Sequence, residues 1–459
     1  MTGHRFHSSL LREYDIRGVV GETLHEADAG AIGRAFGTLV RRDGGTCVAV
    51  AYDGRLSSPA MAEALAAGLR ACGLKVLRCG LGPTPQLYFA AQRPEVHAGI
   101  MVTGSHNPPD FNGFKFVFDG RPFFGERIQE LGRIAEAGAF ESGEGSEETI
   151  APQEDYVARL VQDYDGTRPL SVAWDAGNGA AGEAMAALTR CLPGRHFLLY
   201  EEIDGRFPNH HPDPTKEENL AALREVVERE GCDLGVAFDG DGDRIGVIDD
   251  SGRVLWGDQL LILFARDVLR DHPGAPIIAD VKSSQILFDE IAKAGGRPIM
   301  HRTGHAPIKA KMAEESAPLA GELSAHIFFA DRYYGYDDAL YAAVRLLGIL
   351  GRSGQSLSAI RAALPAVVNT PEHRLHCPED RKFALVAEVG ARLRDAGVEV
   401  NDIDGVRVSS ADGWWLLRAS NTEPALVLRC EASDEAGLER LKAEVTAQLE
   451  ASGLDVPRL

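Results

Sequence analysis

The strongest constraint on this chain is a recurring passage in which an apolar run ends on Asp, crosses a few small polar residues and enters a helix. It occurs as VAVAYDGRLSSP (48–59), LSVAWDAGNGAAG (170–182) and PIIADVKSSQIL (276–287). Continuous apolar runs of this kind suit strands covered on both faces, and linking them by amphipathic helices calls for a mainly parallel sheet. Later in each block a second apolar run leads into a polar loop and then a short strand. The loops are GIMVTGSHNPP (99–109), LGVAFDGDGDR (234–244) and PLAGELSAH (318–326), followed by FKFVFDG, RIGVIDD and IFFADRY. In the first block the pattern predicts a strand over 46–52, a helix over 58–72 and a strand over 75–78.

The C-terminal stretch follows another plan. VRVSSADGWWLLRASNTEPALVLRCEA (406–432) reads as strand, turn, strand, loop, strand. A helix over 434–450 then places Leu438, Leu441, Val445 and Leu449 on one face. This is an antiparallel α+β unit. The fold class expected is therefore α/β, with three similar mixed-sheet α/β domains followed by a C-terminal α+β domain. At 459 residues the length allows four domains. Breaks at the Gly/Glu/Ser-rich 138–148, the turn 249–252 and the Pro-bounded 365–371 divide it into 1–148, 149–251, 252–365 and 366–459.

Composition narrows the partners. Lys and Arg number 48 against 68 Asp and Glu, a net charge of −20, which argues against nucleic acid or an anionic membrane surface. Small anions in a locally basic cleft stay compatible with it. Seven cysteines form no CxxC pair, the N-terminus lacks a signal-like apolar core, and no apolar stretch is long enough for a membrane span. A cytoplasmic protein is expected.

Four loops carry chemistry. In DGDGDR (239–244), Asp239, Asp241 and Asp243 alternate with glycines directly after a strand. Three carboxylates aimed at one centre repel unless a hard cation lies between them, and an all-oxygen set suits Mg²⁺. Arg244 suits a phosphate oxygen as a further ligand to that cation. A calcium EF-hand is excluded by the missing ligand Glu. In TGSHNPP (103–109), Ser105 stands at a strand end as an acyl nucleophile or a phosphoryl carrier. A hydrolase triad is disfavoured because GxSxG is absent and adjacent His106 is not expected to face the serine. Lys115, ten residues on, can return to the same place across the next strand. RASNTEP (418–424) offers a guanidinium, hydroxyls and an amide for a phosphate, and GELSAH (321–326) offers a carboxylate and a hydroxyl for vicinal sugar hydroxyls. Taken singly, each passage also suits a plainer role: a solvated acidic turn, an ordinary turn or a capped hairpin. Arg17, Lys282, Arg302 and Lys309 sit near other loop ends, as a polyanion site requires. His210 and His211, flanked by prolines, read as structural.

Together, REYDIRG (12–18), TGSHNPPDFNGFK (103–115), DAGNGAAG (175–182), GRFPNHHPDP (205–214), DGDGDR, RTGHAPIK (302–309), GELSAH and RASNTEP resemble the α-D-phosphohexomutase superfamily, in its bacterial phosphomannomutase/phosphoglucomutase branch. The resemblance runs through nearly the whole chain. It implies a heart-shaped, four-domain enzyme with one loop per domain meeting in a central cleft. It implies Ser105 as the phosphoserine, and Mg²⁺ on Asp239, Asp241, Asp243 and a phosphoserine oxygen. Glu322 and Ser324 would read sugar hydroxyls, and Arg418, Ser420, Asn421 and Thr422 the phosphate that is not reacting. Tyr14, Arg17, His106, Lys115, Arg244, Lys282, His305 and His326 match family cleft positions, with Lys115 as general acid/base assisted by His106 or His305.

The reaction implied interconverts hexose 1-phosphate and 6-phosphate, of mannose or glucose, through a hexose 1,6-bisphosphate. Glucose 1,6-bisphosphate is the implied activator, sugar phosphates are the partners, and the state is monomer or dimer. Ala325 stands where the family usually has Gly, which is tolerable unless that residue needs positive φ. A phosphoglucosamine mutase, a Mg²⁺-dependent phosphatase and a non-catalytic sugar-phosphate binder are the rival readings.

Overall fold

The computed structural model describes residues 3–421 and 423–454. Four sheets form in chain order. The first runs Ile16–Val19, Phe111–Phe118, Ala98–Val102, Cys47–Tyr52, Lys75–Leu81 and Ser146–Thr149, with Arg121–Pro122 beside Phe111–Phe118. Its centre is parallel, and the strands Phe111–Phe118 and Ile16–Val19 add an antiparallel side. The second sheet orders Val254–Leu255, Ile245–Asp249, Leu234–Phe238, Leu170–Asp175 and Gly194–Leu199. The third orders Arg297–His301, Pro276–Asp280, Leu319–Gly321 and Ile327–Phe329. Each is mixed: apolar runs pair in parallel, and the strand after the chemistry-bearing loop turns back antiparallel. The fourth sheet is antiparallel, built on Val406–Ser409, Gly413–Ala419 and Ala425–Ala432.

The helix Glu435–Ala451 covers the fourth sheet. Asp434 caps it by accepting from Gly437 N at 2.7 Å, and Leu438, Leu441, Val445 and Leu449 are buried as their spacing requires. In the first block the helix ends earlier than expected, at Arg70, and the following strand extends to Leu81. The segment 138–148 is not simply a linker. Ser146–Thr149 adds a parallel strand to Lys75–Leu81 although all four residues are exposed. Backbone pairing at a sheet edge holds a segment whose side chains bury nothing.

The second and third sheets share one core. Trp174 and Val236 from one and Ile277 and Leu319 from the other join a single buried cluster, through the helices Gly257–Asp271 and Ala339–Arg352. The loops 239–244 and 322–326 leave these two sheets at the carboxyl ends of strands, where open α/β sheets gather ligands. Among the described residues no helix is long and apolar enough to cross a membrane.

Candidate active site

Strand Cys47–Tyr52 delivers Asp53, and its neighbour Ala98–Val102 delivers the Ser105 loop. Asp53 accepts from Thr103 Oγ1 at 2.8 Å, Gly104 N at 3.1 Å and Ser58 Oγ at 2.6 Å. Arg55, buried behind the loop, donates to Ser105 O at 2.7 Å, Asn107 O at 2.6 Å and Phe111 O at 2.9 Å, and also to Pro108 O. With its carbonyls turned onto a guanidinium, the loop presents Ser105 to the cleft in the left-handed region, at φ 49°. On that turn His106 Nδ1 lies 3.4 Å from Ser105 Oγ, against the sequence expectation. Burial and the cations Arg244, Arg17 and Lys115 hold the His106 pKa well below its ordinary value, so the ring is neutral.

The acidic loop meets this serine directly. Ser105 Oγ donates to Asp239 Oδ2 at 2.8 Å. Asp239, Asp241 and Asp243 are fully buried, and each offers an oxygen to a common centre with ligand atoms within 4.8 Å of one another. Burial and the two neighbouring carboxylates push Asp239 well above the usual carboxylate range. Asp241 Oδ1 and Asp243 Oδ1 are buried without hydrogen-bond partners. Lys115, reaching across from Phe111–Phe118, donates to Asp241 Oδ2 at 2.7 Å and to Asp243 Oδ2. Burial opposes its charge, but the three carboxylates prevail and its pKa lies above the ordinary lysine value. A buried oxygen-only trio with orphaned lone pairs fits a hard divalent cation.

Loops of the third sheet close the next side. Arg244 Nε donates to His326 Nε2 at 3.0 Å, and an isolated antiparallel bridge links the same two residues. Glu322, buried, accepts from Gly304 N at 2.7 Å, while Ser324 is half-buried nearby on the same turn. His305 begins the helix His305–Glu315, with burial and Lys309 lowering its pKa to about 4. Lys282 Nζ donates to Glu372 Oε2 at 3.0 Å.

The fourth domain supplies the remaining wall. Arg418 Nε donates to Asp404 Oδ2 at 3.0 Å, and Asn421 Nδ2 donates to Tyr14 Oη at 2.5 Å. Tyr14 in turn donates to Thr303 O at 2.8 Å, so one phenol joins three domains. Ser420 Oγ accepts from Glu423 N at 3.1 Å. Thr422 lies outside the described residues. Arg17 donates to Asp15 at 2.6 Å and to Asn107 in the serine loop. Of the sequence-predicted residues, direct contacts join Ser105 with His106 and Asp239, Lys115 with Asp241 and Asp243, Arg244 with His326, and Tyr14 with Asn421. Arg302 instead sits 5.8 Å over the Phe124 ring. His210 braces its own loop, with Nε2 at 3.0 Å from Asp175 Oδ2.

Comparison with known proteins follows the same division. The chain matches the descriptions "Phosphoglucomutase/phosphomannomutase, alpha/beta/alpha domain I" over 8–142, domain II over 154–252, domain III over 256–368 and "C-terminal domain" over 372–448. It is 46% identical to a phosphomannomutase/phosphoglucomutase of Pseudomonas aeruginosa, covering 98% of each chain. The chain belongs to the phosphoglucomutase/phosphomannomutase family. A phosphoglucomutase of Neisseria gonorrhoeae is 42% identical over 96% of this chain and 97% of its own. Among solved structures, a family protein from Burkholderia thailandensis superposes with a TM-score of 0.94 at 45% identity, covering 98% of this chain and 99% of that one.

Ala325, which the resemblance puts at a position usually held by Gly, has φ 67°. The position does need the left-handed region, and an L residue there carries strain of about 1–2 kcal/mol. Sequence reading missed several supports of the site: Asp53, Arg55, Glu372, Lys382, Thr84, whose Oγ1 donates to Asp241 Oδ2 at 2.5 Å, and Asp337, which accepts from Lys309 Nζ at 2.9 Å. Lys382 is fully buried and donates to Ser420 O at 2.6 Å and Glu423 O at 3.0 Å, doing for the fourth loop what Arg55 does for the first. Neither carried a reading from the sequence, because only long-range packing buries them. The sole local signal was DGR (53–55) at a strand end.

Proposed function

We propose that this phosphohexomutase moves a phosphoryl group between the 1- and 6-positions of glucose and mannose phosphates, with Ser105 carrying it between transfers. The observation that carries this reading is the Ser105 hydroxyl 2.8 Å from Asp239, inside the acidic trio and beside Lys115. A water-directed phosphatase does not need a serine so placed, and a binder needs neither serine nor trio. Phosphoryl transfer asks mainly for positioning and charge neutralisation, which this cleft supplies.

Asp239, Asp241, Asp243 and a Ser105 oxygen would hold Mg²⁺. When bound, the cation neutralises charge on the transferring group. Lys115, beside the trio, would give a proton to, or take one from, the sugar hydroxyl. Arg244 and Arg17 add fixed positive charge, and the neutral rings of His106 and His305 assist proton movement. Glu322 and Ser324 read the sugar hydroxyls. Lys282, Arg418, Ser420, Asn421, Thr422 and Tyr14 hold the distal phosphate. An arriving phosphate competes with Glu372 and Asp404, which now neutralise Lys282 and Arg418.

In the forward half-reaction the sugar hydroxyl gives up its proton as its oxygen bonds to phosphorus, the O–P bond of phospho-Ser105 breaks and the serine oxygen takes up a proton, giving a hexose 1,6-bisphosphate. After reorientation the other phosphate returns to Ser105, whose hydroxyl gives up its proton, and the sugar oxygen it leaves takes up a proton. Seven free cysteines, six of them buried, suit a reducing cytoplasmic setting. The test is a mutase assay with Mg²⁺ on glucose 1-phosphate and mannose 1-phosphate, with and without glucose 1,6-bisphosphate. Conversion of both, stimulated by the bisphosphate, supports the reading. Absence of conversion in primed assays overturns it, and glucosamine 6-phosphate turnover or stoichiometric phosphate release would identify the rival.

A further inference from the structure

The fourth-domain sheet has two buried faces. One is apolar, with Val406, Val408, Trp415, Leu417, Leu428 and Cys430 in the domain's own core. The other is charged. Arg407, Leu416 and Arg429 stand abreast on three adjacent strands, and Trp414 and Glu431 form the next row. All five are buried. Arg and Glu are almost never fully buried without partners, and here the partners come from the third domain.

Those partners lie on the loop that follows strand Pro276–Asp280 and opens the helix Gln285–Lys293. Arg407 Nη1 donates to Val281 O at 2.6 Å and to Ser283 O at 3.0 Å, and Arg429 Nη1 donates to Lys282 O at 2.5 Å. Glu431 Oε1 accepts from Ser284 Oγ at 2.9 Å, Gln285 N at 3.0 Å and Trp414 Nε1 at 2.8 Å. Trp414 and Leu416 form one apolar cluster with Val281, and the Trp414 ring lies 3.8 Å from the Arg407 guanidinium. Three consecutive carbonyls, 281 to 283, thus accept from guanidinia of another domain.

The middle carbonyl belongs to Lys282. A peptide unit is planar, so a bond to Val281 O holds the plane before Lys282 Cα and a bond to Lys282 O holds the plane after it. With both planes held, the Cα–Cβ bond has one direction. The side chain it aims is buried, and its Nζ donates to Glu372 Oε2 at 3.0 Å. Arg418 follows Trp414 and Leu416 at alternate positions of one strand, and so shares the charged face. One sheet face therefore places both Lys282 and Arg418, although Lys282 belongs to the third domain.

We propose that Arg407 is a positioning residue for phosphate binding: together with Arg429 it fixes Lys282 to the fourth-domain sheet, so that Lys282 and Arg418 meet the distal phosphate as one unit. An apolar contact in its place would hold the domains together but let the loop turn. A planar guanidinium shared by two carbonyls sets direction as well as distance. The proposal rests on the reading of Lys282 as a phosphate ligand, and the test separates the two.

The test is a double-mutant cycle on the full chain. Wild type, Arg407→Met, Lys282→Met and the double variant are titrated calorimetrically with glucose 1-phosphate, mannose 1-phosphate and glucosamine 6-phosphate, and assayed for turnover. Lys282→Met should weaken binding by about 10- to 100-fold, as the loss of a hydrogen bond to a charged group does. Arg407→Met should weaken it by about 10-fold and raise KM in step, with kcat within about 3-fold, because the distal phosphate is held alike in ground and transition states. In the Lys282→Met background, Arg407→Met should change binding by less than about 2-fold. An Arg407 that only supports the fold weakens binding equally in both backgrounds, and that result overturns the proposal. So does binding within about 2-fold of wild type in Arg407→Met, or a fall in kcat at unchanged KM. If Arg407→Met does not fold, Arg407→Lys runs the same cycle, with about 3-fold expected alone and no further loss beside Lys282→Met, since an ammonium keeps the charge but not the fork. Unaltered binding in Lys282→Met removes Lys282 as a phosphate ligand and the proposal with it. A wild type that binds a hexose phosphate but converts none removes the mutase reading alone, and the binding cycle still decides this one. A wild type that binds none removes both.

Discussion

Replacing Arg55 by Met tests whether the serine loop is held from behind. The guanidinium is fully buried and donates to four loop carbonyls as well as to Asp53, 3.1 Å away. Met fills much of the volume and returns none of those bonds. Removing one partner of a buried ion pair costs about 3–5 kcal/mol. Asp53 keeps Ser58, Thr103 and Gly104 as donors, so the orphaned carbonyls dominate, at about 1–3 kcal/mol each and not additively. A loss near 4 kcal/mol in the first domain lowers its transition by roughly 10–15 °C. Arg55→Lys should fall between, since an ammonium lacks the planar fork. Scanning calorimetry reads the transition, and phosphate incorporated at Ser105 reads the loop. An Arg55→Met protein that melts within about 2 °C of wild type and keeps full Ser105 phosphorylation would refute the reasoning.

Four further outcomes are expected. Ser105→Ala should abolish nearly all turnover while sparing sugar-phosphate binding by calorimetry, and unchanged turnover would remove the proposed carrier. Mg²⁺ at about 100 times its Kd should stabilise the protein by about 2.7 kcal/mol in thermal scans, and Asp241→Asn should erase that shift. At residue 325, Gly should keep stability within about 1 kcal/mol of wild type, because relieved strain offsets added chain freedom, whereas a β-branched Val at φ 67° should lose about 3 kcal/mol by urea unfolding. His305 binds its proton near pH 4 when folded and near 6.5 when unfolded, so the unfolded chain binds more protons as pH falls through that window. Stability should therefore drop from this ring by about 2 kcal/mol between pH 7 and 5 and by about 3 kcal/mol at pH 4, and His305→Asn should flatten that part of the profile in urea titrations at pH 7, 6, 5 and 4.

Much of the site was legible because its chemistry is written locally. Asp239, Asp241 and Asp243 alternate within one tight loop, and Ser105 sits between a strand end and two prolines, so composition and spacing announce both. The helix Glu435–Ala451 was equally plain from its regular apolar stripe, apart from Asp434, which the structure makes its cap rather than its first residue. Strand 146–149 was not, since a GlyGluSer-rich passage carries no apolar alternation and pairs only because an edge is waiting. His106 was misjudged for a related reason: the positive φ of Ser105 is a property of the held loop, not of the dipeptide.

By itself the chain determined the repeated strand-and-helix blocks, the antiparallel C-terminal unit and the four loops rich in chemical groups, because these depend on propensity and spacing over a few residues. Tertiary structure alone decided which cations are buried. Arg55, Lys382 and Lys309 differ from surface residues only in what distant segments place around them. It also decided that Asp337 meets His305 and His326, and that Tyr14 and Asn421 join across 407 residues. Burying a charge costs several kcal/mol unless partners are in place, and those partners come from loops that only the assembled domains bring together.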